Sequence, residues 1–386
     1  MRQVLCLSVF IFSCSGIGLA QSDFLTLQKR IQELFEQYKG AVVRVEALHT
    51  EPAQIDSDQP IATVKYSTGF FISREGLILA SAGRVKGSKR LTVVHQGTQY
   101  LAELIAIDEQ TKIALLKAVY LPDQFDFLRM NESPALPEPG TLTLAITCPL
   151  TFSPSPKMAL ITGQDTKFEY KLFPTTLLRV DSPANKGEIG SPIIDLQGRL
   201  VGMFFATLPE IQSSFVMPAG AINKIKDDLL LEGRASYASV GIEVGQHFIR
   251  GGRSRVKILD VIEESPAAKA GIAKGDIVLK VGDYTINDFS DFPNAMFFIR
   301  VGEYVDIEIE RDSQQIAFNL PTIRRPDEER RIKIRAITAD EAKDQGEPKA
   351  QVQPNPDPVE VRLDHLNPLK IPLSPQKETE GPVPQS

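Results

Sequence analysis

The feature that most constrains the fold is a series of short apolar runs between residues 41 and 220, each rich in Val, Ile, Leu or Phe. Gly, Pro, Asn, Asp or Ser separates most of the runs, which is typical of strands joined by turns. The runs are residues 41–48, 63–72, 77–81, 90–95, 101–107, 113–119, 141–146, 177–180, 193–194 and 200–206. Many short strands at this spacing favour a mainly β fold, with about enough strands for two small barrels.

Two helical patterns flank this β region. The first follows Ser22 or Asp23, either of which is a candidate N-cap, and ends at Gly40. The second covers residues 219–231 and stops before Gly233, because glycine commonly ends helices. We therefore expect one helix before the β domain and another at its end.

Composition and pattern divide the chain into five parts. These are a signal segment (1–20), an N-terminal helix (21–40), a double-barrel domain (41–232), a smaller α+β unit (237–323) and a tail (324–386). The tail mixes charges and then becomes rich in proline, so we expect it to be disordered. A hydrophobic fraction of 42% is globular, and a net charge of -6 gives no indication of a nucleic-acid partner.

The N-terminus has the pattern of a secretory signal. Arg2 precedes a mostly apolar stretch, and small residues at Gly18 and Ala20 predict cleavage after Ala20. The alternatives are an uncleaved anchor and lipoprotein processing at Cys14, which the bulky Phe12 fits poorly. After cleavage no stretch is long enough to span a membrane, so we expect a periplasmic or secreted protein.

Cysteine and histidine usage argues against disulfides, metals and cofactors. Cys6 and Cys14 lie in the signal, and Cys148 in an apolar run is expected to be a buried structural thiol. The four histidines are isolated in sequence, at positions 49, 95, 247 and 365. We expect no metal site and no cofactor.

Three motifs follow one another in the β region. Residues 67–72 (S-T-G-F-F-I) and 76–85 (G-L-I-L-A-S-A-G-R-V) come first, then 111–117 (T-K-I-A-L-L-K), then 187–194 (G-E-I-G-S-P-I-I) before 198–202 (G-R-L-V-G). They resemble the motifs of HtrA/Deg-type serine proteases, G-S-G-F-I-I with G-x-I-L-T-N-x-H-V-V, T-D-L-A-L-L-K, and G-N-S-G-G-P-L-V with G-x-V-I-G. The resemblance covers about residues 41–323 and implies a trypsin-like double β-barrel.

The residues at the catalytic positions of these motifs differ from those of the family. The family's His, Asp and Ser fall on Gly83, Lys112 and Ile189. A serine protease needs a nucleophile, a base and a group that orients the base, and none of these three residues supplies its part. The sequence therefore predicts a pseudoprotease, with Glu188 adding a carboxylate beside the expected oxyanion hole.

Two other groups are candidates for replacing the missing chemistry. Ser191 lies two residues from Ile189, ~7 Å along an extended chain, which is too far to replace the nucleophile. A Ser81–Lys112 dyad is formally conceivable, because lysine acts as a base when its pKa falls. A solvated or ion-paired Lys112 explains the sequence better.

A second resemblance lies in the smaller unit. Residues 265–272 (S-P-A-A-K-A-G-I) and 274–283 (K-G-D-I-V-L-K-V-G-D) resemble the PDZ signature S-P-A-x-x-A-G-L-x-x-G-D-x-I. PDZ domains bind an extended peptide C-terminus at a strand edge. The resemblance implies a loop and edge at residues 239–244 and a groove helix over 288–300. The candidate peptide-binding residues are Val240, Gly241, Ile242, Val244, Phe292, Met296 and Phe297, and the apolar ones among them fit a core position equally well.

The sequence favours a pseudoprotease that binds peptide C-termini or unfolded segments as an adaptor, regulator or holdase. The resemblance also implies, as partners, copies of the chain in a homo-trimer or active relatives. One alternative is an active endopeptidase that uses non-standard residues. Another is a structural envelope protein tethered by its tail.

Overall fold

The structure, a computed structural model, describes residues 15–51, 61–130, 136–168, 171–248 and 254–325. Residues 1–14 of the predicted signal and the predicted tail from residue 326 onward lie outside the described residues. So do Cys6, Cys14 and His365. No helix within the described ranges is both long enough and apolar enough to cross a membrane.

A long helix, α1 (Ser15–Tyr38), opens the described chain. It begins before Ser22 and Asp23, so the prediction that one of them is the N-cap is wrong. The helical pattern continues back into the small and apolar residues of the predicted signal. A short 3-10 turn, Lys39–Ala41, follows the helix. Leu34 is fully buried and anchors one face of α1 against the barrels.

The first barrel follows α1. Its strands are β1 (Val42–Glu51), β2 (Ile61–Phe71), β3 (Leu77–Ser81), β4 (Arg90–His95), β5 (Thr98–Asp108) and β6 (Ile113–Ala118), with helix α2 (Ala82–Val85) after β3. The strands close in the order β1-β2-β3-β6-β5-β4. Every pairing is antiparallel, and closure leaves no free strand edge in the ring.

The second barrel repeats this architecture. Its strands are β7 (Leu142–Thr147), β8 (Ser155–Phe168), β9 (Lys171–Val180), β10 (Pro192–Asp195), β11 (Leu200–Leu208) and β12 (Ser213–Pro218), closed in the order β10-β11-β12-β9-β8-β7. A 3-10 turn, Pro209–Ile211, lies between β11 and β12. Helix α3 (Ala219–Glu232) follows and ends at Gly233, which has φ 68° as a left-handed C-cap. The predicted double barrel is confirmed, although β8 and β12 were not predicted.

The two barrels share one buried cluster. It contains residues from both barrels, from α1 and from α3, among them Leu34, Phe70, Leu115, Leu144, Phe215 and Ile225. Smaller apolar clusters fill the interior of each barrel. A continuous core therefore holds the two barrels together.

The remaining unit is a small α+β domain. Its elements are β13 (Ala238–Ser239), β14 (Ile242–Phe248), β15 (Ser254–Val261), α4 (Pro266–Ala270), β16 (Ile277–Val281), β17 (Tyr284–Thr285), α5 (Asp291–Phe297), β18 (Tyr304–Arg311), β19 (Gln314–Pro321) and β20 (Ile323–Arg324). The main sheet has the order β14-β15-β16-β18-β19, and β13 pairs with β20. Strand β20 extends one residue past the predicted boundary at 323, and α5 is shorter than the predicted helix over 288–300.

Candidate functional site

The three positions of the expected triad meet where the barrels face each other. Gly83 lies in the first turn of α2, directly after β3, and the N–H of its neighbour Ala82 donates to the carbonyl of Lys112 at 2.8 Å. A Cβ placed on Gly190, the residue after Ile189, would lie 3.3 Å from the backbone nitrogen of Ser81. The segments that carry the three motifs therefore lie side by side in the structure.

Gly83 leaves the position of the base empty. The residue is exposed, and a Cβ built on it would have Ser81 Oγ, 4.0 Å away, as its nearest neighbour. A side chain would fit in this space, so packing does not explain the glycine. Gly83 itself offers no group that accepts a proton.

Lys112 lies in a turn that Asp108 organises. The Asp108 carboxylate accepts hydrogen bonds from Thr111 N at 2.8 Å and Thr111 Oγ1 at 2.6 Å. Lys112 then adopts φ 56°, in the left-handed region. The pKa of the exposed Glu109 is lowered, mainly by its hydrogen bond from Lys86 and further by the charge of Lys112. The Lys112 charge therefore acts on a surface carboxylate.

Ile189 sits on a loop that packs tightly against the first barrel. Its carbonyl accepts a hydrogen bond from Thr68 N at 3.1 Å, and Thr68 Oγ1 donates to the carbonyl of Gly187 at 2.7 Å. Gly190 has φ 91°, and a Cβ there would lie 2.2 Å from the Thr68 carbonyl oxygen. Only glycine fits this approach, so the loop keeps its backbone path while its reactive position carries a half-buried isoleucine.

Glu188 differs from its predicted role beside the oxyanion hole. Its side chain is 4% exposed and points into the second barrel, where Lys157 Nζ donates to Oε2 at 2.8 Å. Asn185 N donates to the same oxygen at 2.7 Å, and Thr147 Oγ1 donates to Oε1 at 3.2 Å. Because a buried carboxylate needs a partner, it turns toward these donors and away from the cleft.

Ser191 and two histidines, which are also potential catalytic residues, make structural hydrogen bonds instead. Ser191 is fully buried, and its hydroxyl donates to the Glu188 carbonyl at 2.6 Å. His95 Nε2 bonds the Gly40 carbonyl at 2.9 Å, and His49 Nε2 bonds the Arg84 carbonyl at 2.9 Å. These rings support the backbone.

Cys148 is a free, buried cysteine, which confirms the predicted structural thiol. Burial raises the pKa of this thiol to about 12, so the nucleophilic thiolate is suppressed at neutral pH. Among the described residues, His, Cys, Asp and Glu side chains form no group of three that is able to hold a metal ion.

The PDZ-like unit has an edge strand preceded by a glycine loop. Gly241 has φ 83°, and a Cβ there would lie 2.2 Å from Ser265 Cβ, so the loop before β14 requires glycine. Ile242, Val244 and Phe292 are half-buried and pack against the domain core. Strand β14 pairs with β15 on one side and is an edge of its sheet.

Three of the predicted groove residues are core residues. Val240 and Met296 are buried within the cluster of the small domain. Phe297 packs in the shared cluster of the two barrels, so its assignment to the groove is wrong. Gln246, which was not predicted, accepts a hydrogen bond from Phe289 N at 3.0 Å and links β14 to the segment before α5.

Comparisons with known proteins agree with this architecture. A family model described as a trypsin-like peptidase domain matches residues 67–203, and one described as a PDZ domain matches residues 237–322. A probable periplasmic serine endoprotease DegP-like of Marinomonas sp. (strain MWYL1) is 25% identical over 273 residues, which is 68% of this chain and 57% of the relative. Serine protease HTRA1 of Xenopus tropicalis is 26% identical over 313 residues, 75% of this chain and 66% of the relative.

Solved structures show the same fold. The HtrA-type protease AlgW with decapeptide has a TM-score of 0.62 at 18% identity, covering 77% of this chain and 99% of that one. The serine endoprotease from Yersinia pestis has a TM-score of 0.55 at 22% identity, covering 77% and 98%.

The fold and the order of its motifs define a trypsin-like peptidase domain followed by a PDZ domain. By this architecture and these relatives, the chain belongs to the HtrA/Deg-type proteins. It spans 57% and 66% of the length of the two curated relatives named above.

Proposed function

We propose that this chain is a catalytically silent HtrA-type protein that binds peptide C-termini or unfolded segments through its PDZ groove. The observation that carries the proposal is the convergence of Gly83, Lys112 and Ile189 on an otherwise retained cleft. The protein acts as an adaptor, regulator or holdase, because capture without cleavage leaves a bound segment intact.

The loss of chemistry follows from the three side chains. Ile189 has no lone pair to attack a carbonyl, and Gly83 has no atom to remove a proton. Lys112 places a cation where catalysis needs an anion beside the base. The nearby hydroxyl of Ser191 is buried in a hydrogen bond to Glu188.

Peptide capture follows from the edge of β14. An extended peptide adds as a further strand to such an edge, and its carboxylate binds backbone N–H groups in the preceding loop. The Gly241 N–H donates to Ser239 Oγ at 3.1 Å. A peptide carboxylate offers this N–H a charged acceptor, and a charge-assisted hydrogen bond is stronger than this neutral one. Ile242, Val244 and Phe292 supply apolar walls, so the groove suits apolar C-terminal residues.

The proposal extends to location and partners. The signal-like N-terminus and the relatives named as periplasmic support export to the periplasm or beyond. Copies of the chain or active HtrA-type relatives are the proposed assembly partners.

A second candidate function is endopeptidase activity through non-standard residues. It is favoured by the names of the relatives, which are serine proteases. A fluorophosphonate probe separates the two proposals, because it labels an activated serine covalently. We expect no labelled serine, and a single labelled site would favour the second candidate.

Peptide binding is tested with an array of short peptides that end in Leu, Ile, Val or Phe. Each peptide is made with a free carboxylate and with an amidated terminus. We expect free carboxylates to bind and Val244→Asp to abolish binding. Ile316→Asp is the matched control, because Ile316 is also half-buried against the core but lies on the opposite edge strand, β19. Equal binding of the amidated peptides, or by Val244→Asp, would contradict the proposal.

A further inference from the structure

Helix α5, which forms one wall of the proposed peptide groove, packs against other parts of the protein on two of its faces. Phe292, Ala295 and Met296 pack against the core of the PDZ domain. Asn294 bonds the second barrel instead, and Phe297 enters the buried cluster that the two barrels share with α1 and α3. Because a helix repeats every 3.6 residues, these two sets lie on different sides of it, and α5 is held between the domains.

Asn294 makes the most specific of the barrel contacts. Its Oδ1 accepts hydrogen bonds from Thr176 N at 2.7 Å, Thr176 Oγ1 at 3.0 Å and Thr175 Oγ1 at 3.1 Å. The donors are on β9, where the pairing with β8 shifts register between Asp165 and Lys167. Residues 173–176 therefore have no ladder partner among the described strands, and the Thr176 N–H is satisfied by the PDZ helix.

Further contacts flank Asn294 on both sides. Before the helix, Lys167 Nζ pairs with Asp288 at 2.8 Å, and the hydroxyls of Thr166 and Ser290 are 2.8 Å apart. At its end, Phe297 is buried in the shared barrel cluster, with its ring 5.3 Å from Lys224 Nζ. Contacts with residues outside the PDZ domain therefore lie before α5, within it and at its end.

A helix this short does not hold its own position. It has 7 residues, fewer than the number at which isolated helices become even marginally stable, and Ser290 gives it no side-chain cap. Its placement opposite β14 must come from packing, and the barrel supplies one of the two packed faces. The position of α5 thus depends on residues outside the PDZ domain.

We propose that Thr175 and Thr176, acting through Asn294, are positioning residues of the peptide groove, so that the peptide site is built by both domains. This inference rests on the proposed peptide binding. It makes affinity for a peptide depend on barrel side chains that do not touch the peptide.

The test changes the barrel and leaves the PDZ sequence intact. The double variant Thr175→Val/Thr176→Val removes both hydroxyl donors at nearly constant volume. Thr162→Val is the matched control, because Thr162 also donates through its hydroxyl, to Arg179 O at 3.2 Å on the same pair of strands, away from α5. The probe is the tightest-binding free-carboxylate peptide from the array, and hydrogen exchange of residues 291–297 is followed in parallel.

We expect the double variant to bind the probe about five- to ten-fold more weakly, because this is the change in affinity that corresponds to the typical free-energy cost of losing such hydrogen bonds. It should also exchange faster in α5, while Thr162→Val behaves as the unchanged chain. Unchanged affinity in the double variant would overturn the inference and leave the proposed function standing. If the unchanged chain binds no array peptide, the proposed function fails and this inference falls with it.

Discussion

At the scale of residues, the cleft keeps its backbone conformations and changes its side chains. Gly190 remains where any Cβ would clash with Thr68, and Lys112 keeps a left-handed backbone that suits Asp or Asn better than Lys. The geometry of the cleft therefore does not depend on the catalytic side chains. Under the proposed function, substitution of those side chains removes the chemistry while the fold is retained.

Lys112→Asn should stabilise the protein. Asparagine tolerates φ 56° better than lysine does, so the variant should gain roughly 0.5–1 kcal/mol in free energy of unfolding. Lys89→Asn, at an exposed site with negative φ, is the control. Denaturant unfolding of both variants measures the effect. A loss of stability in Lys112→Asn would show that a contact of the lysine side chain stabilises the protein more than the relief of backbone strain does.

Glu188→Gln should destabilise the second barrel by about 2–4 kcal/mol, because it leaves the Lys157 ammonium without its buried counter-charge. Glu109→Gln removes an exposed pair with Lys86 and should change little. Thermal unfolding compares the two variants. Equal, small effects would mean that the Glu188 pair is as solvated as the surface pair.

At the scale of elements, the sequence predicted strands well where apolar runs are short and bounded by turn residues. Strands β3 and β4 match their predicted bounds. Strand β8 was not predicted because much of it faces solvent and it contains Pro156 and Gly163. Strand β12 was not predicted because it is a short, fully buried run in which apolar and polar residues do not alternate.

For the site, the motifs indicated which segments carry Gly83, Lys112 and Ile189, and these segments are neighbours in the structure. The pairing of Glu188 with Lys157 and the docking of α5 on β9 were beyond sequence reasoning. Both join segments far apart in the chain, and no local pattern records such contacts. Phe297 was misassigned for the same reason, because its spacing on α5 cannot say which domain its ring enters.

The loop before β14 gives a prediction at this scale. Gly241→Ala should abolish binding of the array peptides, because the new Cβ would collide with Ser265 and distort the loop. Gly271→Ala is the control, since Gly271 also has positive φ but has open space around its Cβ position. Peptide titration of both variants is the measurement. Full binding by Gly241→Ala would place the carboxylate site elsewhere.

At the scale of the whole molecule, charge contributes to how the two domains dock. Burial raises the pKa of Asp288, but hydrogen bonds from Lys167 and Ser290 outweigh it, and the pKa lies below the ordinary 3.8. A carboxylate with a lowered pKa stabilises the fold above its unfolded pKa and loses that contribution as pH falls through the folded value.

The stability difference between the unchanged chain and Asp288→Asn should therefore be constant above about pH 5 and should shrink below pH 3.8. Asparagine still accepts the Ser290 bonds, so the comparison isolates the charge. Thermal midpoints across this range provide the measurement. A difference that grows as pH falls would contradict the assigned ion pair.

The most direct test of the central claim is cleavage of denatured casein by the purified chain, beside Ile189→Ser and an active HtrA-type relative. We predict cleavage by the relative alone. Ile189→Ser should stay inactive, because Gly83 still supplies no base and Lys112 still supplies the wrong charge. Cleavage by the unchanged chain that persists through repurification and is blocked by a fluorophosphonate would show an unrecognised nucleophile and contradict the account.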